Sequence, residues 1–180
     1  GPTGPSGNIQ GLILFLDSEN VMAPTYSGTL SIIPDNGTQT IIQSGTQSKN
    51  TILLMGSFLL NTLEVPAITI GLGIWEFDMY ALSNTDSDYV RYYPKIYFVD
   101  ADGTTDQTLI YEGDSISATV VKTTQDIYRY RAVIDTRYVL SAGKRIIIEI
   151  YGFFDSNNTT LNLEFRDNTI SSVTTTINAL

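Results

Sequence analysis

Residues 73–80 read GIWEFDMY, a stretch in which apolar and charged side chains alternate. Trp75 and Phe77 fall on one side of the alternation, and Glu76 and Asp78 fall on the other. Successive side chains of a β-strand point to opposite faces of its sheet. The stretch therefore predicts a strand with one face against a core and the other face toward water.

Short runs rich in Ile, Thr and Tyr recur along the rest of the chain, separated by clusters of Gly, Asn, Asp and Ser. Residues 161–166 (LNLEFR) alternate in the same way, and tight-turn signals stand at residues 35–37 (DNG) and 102–103 (DG). No window shows an apolar period of 3.6 residues with helix caps. About a dozen short strands are expected. They predict an all-β fold, most economically an antiparallel jelly-roll β-sandwich.

Residues 145–154 read RIIIEIYGFF, a predicted strand that is apolar on both faces and therefore has to be covered twice. The second cover is either another subunit or a loop and long side chains of the same chain, and the sequence leaves both open. If it is a subunit, the predicted trimer interface consists of Ile146, Ile148, Ile150, Tyr151, Phe153, Tyr128 and Tyr130. The lone charge of the run, Glu149, is expected to meet a cation, namely Arg129, Arg131 or Arg145.

Residues 126–132 (DIYRYRA) place Tyr side chains on one face and Arg side chains on the other. Tyr and Arg are enriched at interfaces because each combines a large contact area with a polar end. Subunit packing, a solvated sheet and ligand contact all remain open for this strand. A second tyrosine-rich strand surrounds Pro94. The candidate ligand surface consists of Arg129, Arg131, Tyr93 and Tyr97.

The chain of 180 residues contains no histidine and no cysteine, and its formal net charge is -9. Histidine is the usual general base near neutral pH, and cysteine supplies thiol nucleophiles and thiolate ligands. We therefore expect no enzyme, no catalytic residue, no metal site and no cofactor. The acidic balance argues against nucleic acid as a partner, and the apolar runs are too short to insert into a membrane. The acidic residues 100–106 are interpreted as a hairpin turn and not as a calcium loop.

The first seven residues read GPTGPSG, with Gly at every third position. Three chains wound into a collagen triple helix leave room only for Gly at the shared axis. We therefore divide the chain into the end of a collagen-like stalk, residues 1–7, and a globular trimerisation domain, residues 8–180. A Gly-Pro pair left by tag cleavage is the alternative for the first two residues, but it does not explain the repeat that follows.

Three stretches carry a resemblance to a known family: GIWEFDMYA at 73–81, KIYFVDADG at 95–103 and EFRDNTI at 164–170. Together with the Gly-Pro-Thr triplets they resemble the C-terminal heads of collagen-like proteins of giant DNA viruses, which are similar in plan to TNF/C1q-like heads. The resemblance implies a homotrimeric head on a virion-surface or extracellular fibre, which registers a collagen triple helix and attaches to a host receptor or glycan. The alternatives are a purely structural capsid or fibre decoration and a bacterial spore-surface collagen-like head without ligand.

Overall fold

The computed structural model describes residues 11–18, 26–60 and 68–179. These residues form fifteen β-strands and no helix, so none of them belongs to a helix that could cross a membrane. The expectation of an all-β chain is confirmed. The predicted collagen-like segment, residues 1–7, lies outside the described residues.

The strands are β1 Ile13–Ser18, β2 Gly28–Ser31, β3 Thr40–Gln43, β4 Thr51–Leu60, β5 Ile68–Ile70, β6 Gly73–Ser83, β7 Val90–Val99, β8 Thr108–Glu112, β9 Thr119–Val120, β10 Asp126–Ile134, β11 Tyr138–Leu140, β12 Arg145–Phe154, β13 Leu161–Phe165, β14 Ser172–Thr174 and β15 Ile177–Ala179.

Twelve of these strands form one long sheet in the order β3-β13-β6-β14-β1-β2-β4-β12-β7-β8, with β10 added to β6 and β9 added to β7. A second sheet of three strands has the order β11-β5-β15. Strand β2 pairs antiparallel with β1 and parallel with β4, so the long sheet is mixed. Gly28 begins β2, which lies between β1 and β4, and a Cβ on this residue would lie 2.0 Å from the carbonyl oxygen of Asp17. Only glycine fits there.

The long sheet folds over on itself, because inner side chains of strands far apart in its order touch. The ring of Phe58 on β4 lies 5.5 Å from that of Phe165 on β13, and the ring of Tyr92 on β7 lies 6.3 Å from that of Tyr130 on β10. Trp75, at the centre of the predicted alternating strand, is fully buried between the two layers. The sequence pattern therefore identified the core face of β6 correctly.

Strand β12 runs between β4 and β7 and pairs antiparallel with both. One of its faces is fully buried in the core, through Ile146, Ile148, Ile150 and Phe154. The other face belongs to the outer surface of the same layer, where Ile147 is still only 2% exposed. Both faces of this strand are apolar, as predicted.

The loop from β13 to β14 has an unusual backbone. Arg166, Asp167 and Asn168 all have left-handed φ angles, of 66°, 37° and 54°. Such angles cost roughly 1–2 kcal/mol for most residues other than glycine, and less for Asp and Asn. The loop is held by Arg166, whose Nε and Nη2 donate to the two carboxylate oxygens of Asp17 on β1 at 2.6 and 2.9 Å.

Candidate functional site: an aromatic face on β7 and β12

Side chains of β7 and β12 meet on the outer surface of their layer in a regular register. Phe153 lies opposite Arg91, Tyr151 opposite Tyr93, Glu149 opposite Lys95, and Ile147 opposite Tyr97. We call the surface formed by Arg91, Tyr93, Lys95, Tyr97, Glu149, Tyr151 and Phe153 the aromatic face.

The aromatic face is covered in part by long side chains of its own. The rings of Tyr93 and Tyr151 stack with centroids 5.4 Å apart and planes 10° from parallel. The ammonium nitrogen of Lys95 lies 4.8 Å from the centroid of the Tyr151 ring, and the Arg91 guanidinium lies 5.8 Å from that of Phe153. These cation–π contacts show that side chains folding over the strand, one of the two covers left open by the sequence, provide part of its second cover.

Glu149 lies at the centre of this face and is held by tyrosine. The hydroxyl of Tyr151 donates to Glu149 Oε1 at 3.0 Å, and Tyr97 lies close enough for the charge of the same carboxylate to raise the pKa of its phenol. The predicted arginine partners lie elsewhere. Arg145 donates to the carbonyl oxygen of Leu60 at 2.7 Å, and the other two arginines stand on strand β10.

The tyrosine hydroxyls of the aromatic face are donors and not bases. Burial and, after it, the negative charge of Glu149 together raise the pKa of Tyr97 to about 12. Burial and then Glu149 raise the pKa of Tyr151 as well, and burial raises that of Tyr93. Near neutral pH these phenols therefore stay protonated, and those of Tyr97 and Tyr151 lie beside the carboxylate of Glu149.

This arrangement predicts a loss of stability in alkali. Because the pKa of Tyr97 is raised from 10.0 to about 12 on folding, its contribution is fully present below pH 10 and is lost as the pH rises through 12. Absorbance at 295 nm, which sums the phenolates of all eleven tyrosines, should show a late titration step in the folded protein that is smaller in Tyr97→Phe. Glu149→Gln should lower the pKa of Tyr97 toward the ordinary value, while Glu76→Gln on the other layer should leave it unchanged. Equal titration of the two variants would contradict the assignment.

The outer surface of the opposite layer has a different character. Arg129 on β10 lies 2.8 Å from Asp78 and 3.2 Å from Glu76 on β6, and Arg131 lies 3.3 Å from Glu76. The two arginine side chains are 50% and 65% exposed, so each pair contributes little to stability. On this surface the arginines of β10 form ion pairs with the carboxylates of β6, and these pairs are open to water.

The candidate ligand residues are therefore split between two surfaces. Tyr93 and Tyr97 belong to the aromatic face, whereas Arg129 and Arg131 stand on the outside of the other layer. The structure does not bring these two pairs together, and a ligand surface made from all four stays a prediction.

The residues of the predicted trimer interface are likewise divided. Ile146, Ile148, Ile150 and Tyr130 are buried in the core of their own chain, Tyr130 with its hydroxyl 2.8 Å from that of Ser117. The remaining three, Tyr128, Tyr151 and Phe153, are half-buried and accessible from outside. The interface stays a prediction, and these three side chains are the part of it that another copy could still reach.

The sequence could not reveal the arrangement around Glu149. The spacing of Glu149 and Tyr151 places both on one side of a strand, but Tyr97 comes from a strand about fifty residues earlier. Its position beside the carboxylate depends on the register of β7 against β12. Alternation within one strand does not contain that information.

No family model matches the chain, and no curated protein matches its sequence. Solved structures do resemble its fold. A CocE/NonD family hydrolase from Staphylococcus aureus has a TM-score of 0.61 at 13% identity, over 97% of this chain and 37% of the hydrolase. An α-amino acid ester hydrolase has a TM-score of 0.58 at 11% identity, over 93% of this chain and 36% of its own length.

An aminopeptidase from the marine sediment archaeon Thaumarchaeota archaeon has a TM-score of 0.56 at 12% identity, over 93% of this chain and 37% of the aminopeptidase. Similarity at this level of identity shows a shared fold alone. The chain spans little more than a third of the length of each of these proteins.

These structures correct the resemblance stated from the sequence. The similar proteins are hydrolases and not heads of viral collagen-like proteins, so that assignment is wrong. The fold that the chain shares with these hydrolases also contradicts the fibre-head function, with its decoration and spore-head alternatives, and the expectation of no enzyme. The reason is physical, because the three stretches that carried the resemblance are alternating strands and turns. Such patterns report a half-buried strand in many unrelated β-folds.

Proposed function

We propose that this chain is the β-domain of a hydrolase and presents its aromatic face to a catalytic unit that lies outside the 180 residues. One observation carries the proposal: the fold of nearly the whole chain matches just over a third of several hydrolases. On this proposal the remaining part of such an enzyme supplies the reaction, and the β-domain supplies a surface.

The chemistry of the chain supports this division of labour. Without histidine or cysteine it cannot assemble a Ser-His-acid triad or a Cys-His pair by itself. The phenols around Glu149 stay protonated near neutral pH and so cannot replace histidine as a general base. On this proposal the histidine or cysteine of such a mechanism belongs to the catalytic unit.

The aromatic face suits contact with a partner better than the opposite surface does. Beside it on β4 stand two apolar side chains, Ile52 at 55% exposure and Leu54 at 45%, which pair with Phe153 and Tyr151. Interface cores are enriched in aromatic residues and Arg and poor in unpaired charge. The opposite surface also exposes the apolar side chains of Ile74 and Val133, but beside them it carries exposed ion pairs that gain nothing from being covered.

The finer arrangement of the strands as a jelly roll is a proposal of the same kind. Support comes from the two facing layers and from the short, mostly antiparallel strands.

Four expectations from the sequence stay predictions: the division at residue 8, the homotrimer, a host receptor or glycan as partner, and a location at a virion surface or outside a cell. Light scattering tests the homotrimer, which has about three times the mass of the 19.8 kDa chain.

The division of labour is tested by assaying the chain alone. We expect it to hydrolyse p-nitrophenyl acetate and an α-amino acid ester no faster than buffer does, because it has no histidine to act as a general base near neutral pH. Wild type, Glu149→Gln and Tyr97→Phe should give the same background rate. Saturable hydrolysis by wild type that Glu149→Gln abolishes would contradict the proposal and place catalysis on the aromatic face itself.

A further inference from the structure

Residues 35–37 (DNG) lie in a loop that joins two strands which do not pair with each other. Strand β2 pairs with β1 and β4, and strand β3 pairs with β13. All residues from 32 to 38 are exposed to water and lie outside the strands. The turn signal of the sequence therefore stands in an open surface loop and not in a hairpin.

Asn36 is the only asparagine of the sequence that directly precedes a glycine. The side-chain amide carbon of an asparagine lies within reach of the backbone nitrogen of the next residue, and attack by that nitrogen closes a five-membered ring. A side chain on the next residue hinders the approach and restricts the backbone, whereas glycine does neither. The pair Asn36-Gly37 thus combines a reactive amide with the least hindered nucleophile that a chain can offer.

The backbone nitrogen of Gly37 is held by a side chain. Its N–H donates to Asp35 Oδ1 at 2.8 Å in an Asx turn, and Oδ2 of the same carboxylate lies 3.5 Å from Nη2 of Arg166. The Asp35 side chain is 46% exposed. A hydrogen bond of this kind favours the closed state by a factor of roughly two to ten. The nitrogen is therefore free for a sizeable fraction of the time.

Other asparagines of the described residues are placed differently. Asn162 and Asn178 lie within β13 and β15, so the nitrogen that follows each of them belongs to a strand. After Asn168, the backbone nitrogen of Thr169 donates to the carbonyl oxygen of Arg166 at 2.9 Å. Opening a strand or a closed backbone turn costs more than opening an exposed loop. Each of these asparagines is also followed by a residue with a side chain.

We propose that Asn36 is a site of spontaneous deamidation, and that the hydrogen bond from Gly37 to Asp35 slows the reaction in the folded protein. In the first step a bond forms between the Gly37 nitrogen and Asn36 Cγ, and the bond from Cγ to Nδ2 breaks. The Gly37 N–H proton goes to the leaving nitrogen, which departs as ammonia and leaves a succinimide. Water then opens this ring at either carbonyl, which gives an aspartyl or an isoaspartyl residue at position 36.

The product adds a negative charge to the loop beside Asp35 and Arg166. The isoaspartyl form also lengthens the backbone by one carbon atom between position 36 and Gly37, which removes the Asx turn. No residue from 32 to 38 belongs to the buried core, so the modified protein should stay folded. The site does not depend on the proposed function of the chain.

The test follows deamidation of folded protein at mildly alkaline pH. Samples are digested at acidic pH, where further reaction is slow, and the mass of each peptide reports its conversion. Asn36 should convert faster than Asn168, which serves as the control within the same molecule. Protein-isoaspartate methyltransferase should label the product. Conversion of Asn36 no faster than that of Asn168 would overturn the site.

Asp35→Ala tests the hydrogen bond to Gly37. In folded protein this variant should deamidate at Asn36 roughly two- to tenfold faster than wild type, and in urea the two rates should be equal. The matched control Thr38→Ser, on the other side of Gly37, should keep the wild-type rate. An Asp35→Ala rate equal to or below that of folded wild type would overturn the role of Asp35.

Two further measurements do not depend on whether Asp35→Ala folds. Wild type alone should deamidate at Asn36 roughly two- to tenfold faster in urea than when folded, because unfolding opens the same hydrogen bond. Equal rates would overturn the restraint. Gly37→Ala should slow the reaction about tenfold both in folded protein and in urea, because its Cβ hinders the attack. An unchanged rate in Gly37→Ala would show that the Gly37 nitrogen is not the nucleophile.

Discussion

Replacing Trp75 with alanine is expected to lower the free energy of unfolding by about 3–5 kcal/mol. Trp75 is fully buried between the two layers of the folded sheet, so its removal leaves a cavity that neither layer can close alone. Its indole Nε1 also donates to the Thr176 hydroxyl at 2.9 Å, and that donor is lost as well. Urea unfolding followed by far-UV circular dichroism measures the change.

Trp75→Phe is the matched control. It keeps most of the ring volume and removes the hydrogen bond to Thr176, so it should cost clearly less than the alanine variant. An alanine variant within about 1 kcal/mol of wild type would show that β6 does not face the core.

Replacing Arg166 with glutamine is expected to cost about 3 kcal/mol, because it leaves a largely buried carboxylate without its cation. The side chains of Arg166 and Asp17 are 17% and 10% exposed, and their two contacts of 2.6 and 2.9 Å join the β13–β14 loop to β1. The same urea experiment measures the loss.

The double variant Asp17→Asn/Arg166→Gln separates the ion pair from the loop geometry. Since neither charge is then left alone, the double variant should cost at least about 1 kcal/mol less than the sum of the two single variants. If the double variant loses as much free energy of unfolding as the two single variants together, the two side chains do not act as a pair.

Alternation predicted the strands and the core of this fold well. The apolar side of β6 and both apolar faces of β12 follow directly from the sequence, because a strand reports its own burial through every second residue. Glu164 shows the limit of alternation as a predictor of burial. It was expected on a wet face, and it is buried because Gln39 and Gln125, more than a hundred residues and about forty residues away in sequence, reach over it.

The functional inference failed for a related reason. The absence of histidine and cysteine indicates the absence of an enzyme only if a chain carries all of its chemistry itself. A fold that matches about a third of several hydrolases changes that argument. The sequence identified the second apolar face of β12, but it could not show that cationic side chains of β7 cover part of it.

The central claim is that the aromatic face meets a catalytic unit of a hydrolase. The most direct test immobilises the chain on a solid support, applies an extract and measures the ester-hydrolysing activity that stays bound. Three forms of the chain are compared, each first shown by thermal unfolding to be folded: wild type, Leu54→Asp beside the aromatic face, and Glu76→Gln on the opposite layer. We expect wild type and Glu76→Gln to retain ester-hydrolysing activity from an extract of the native source, and Leu54→Asp to lose it. Activity no greater than on bare support, or equal retention by Leu54→Asp, would contradict the claim.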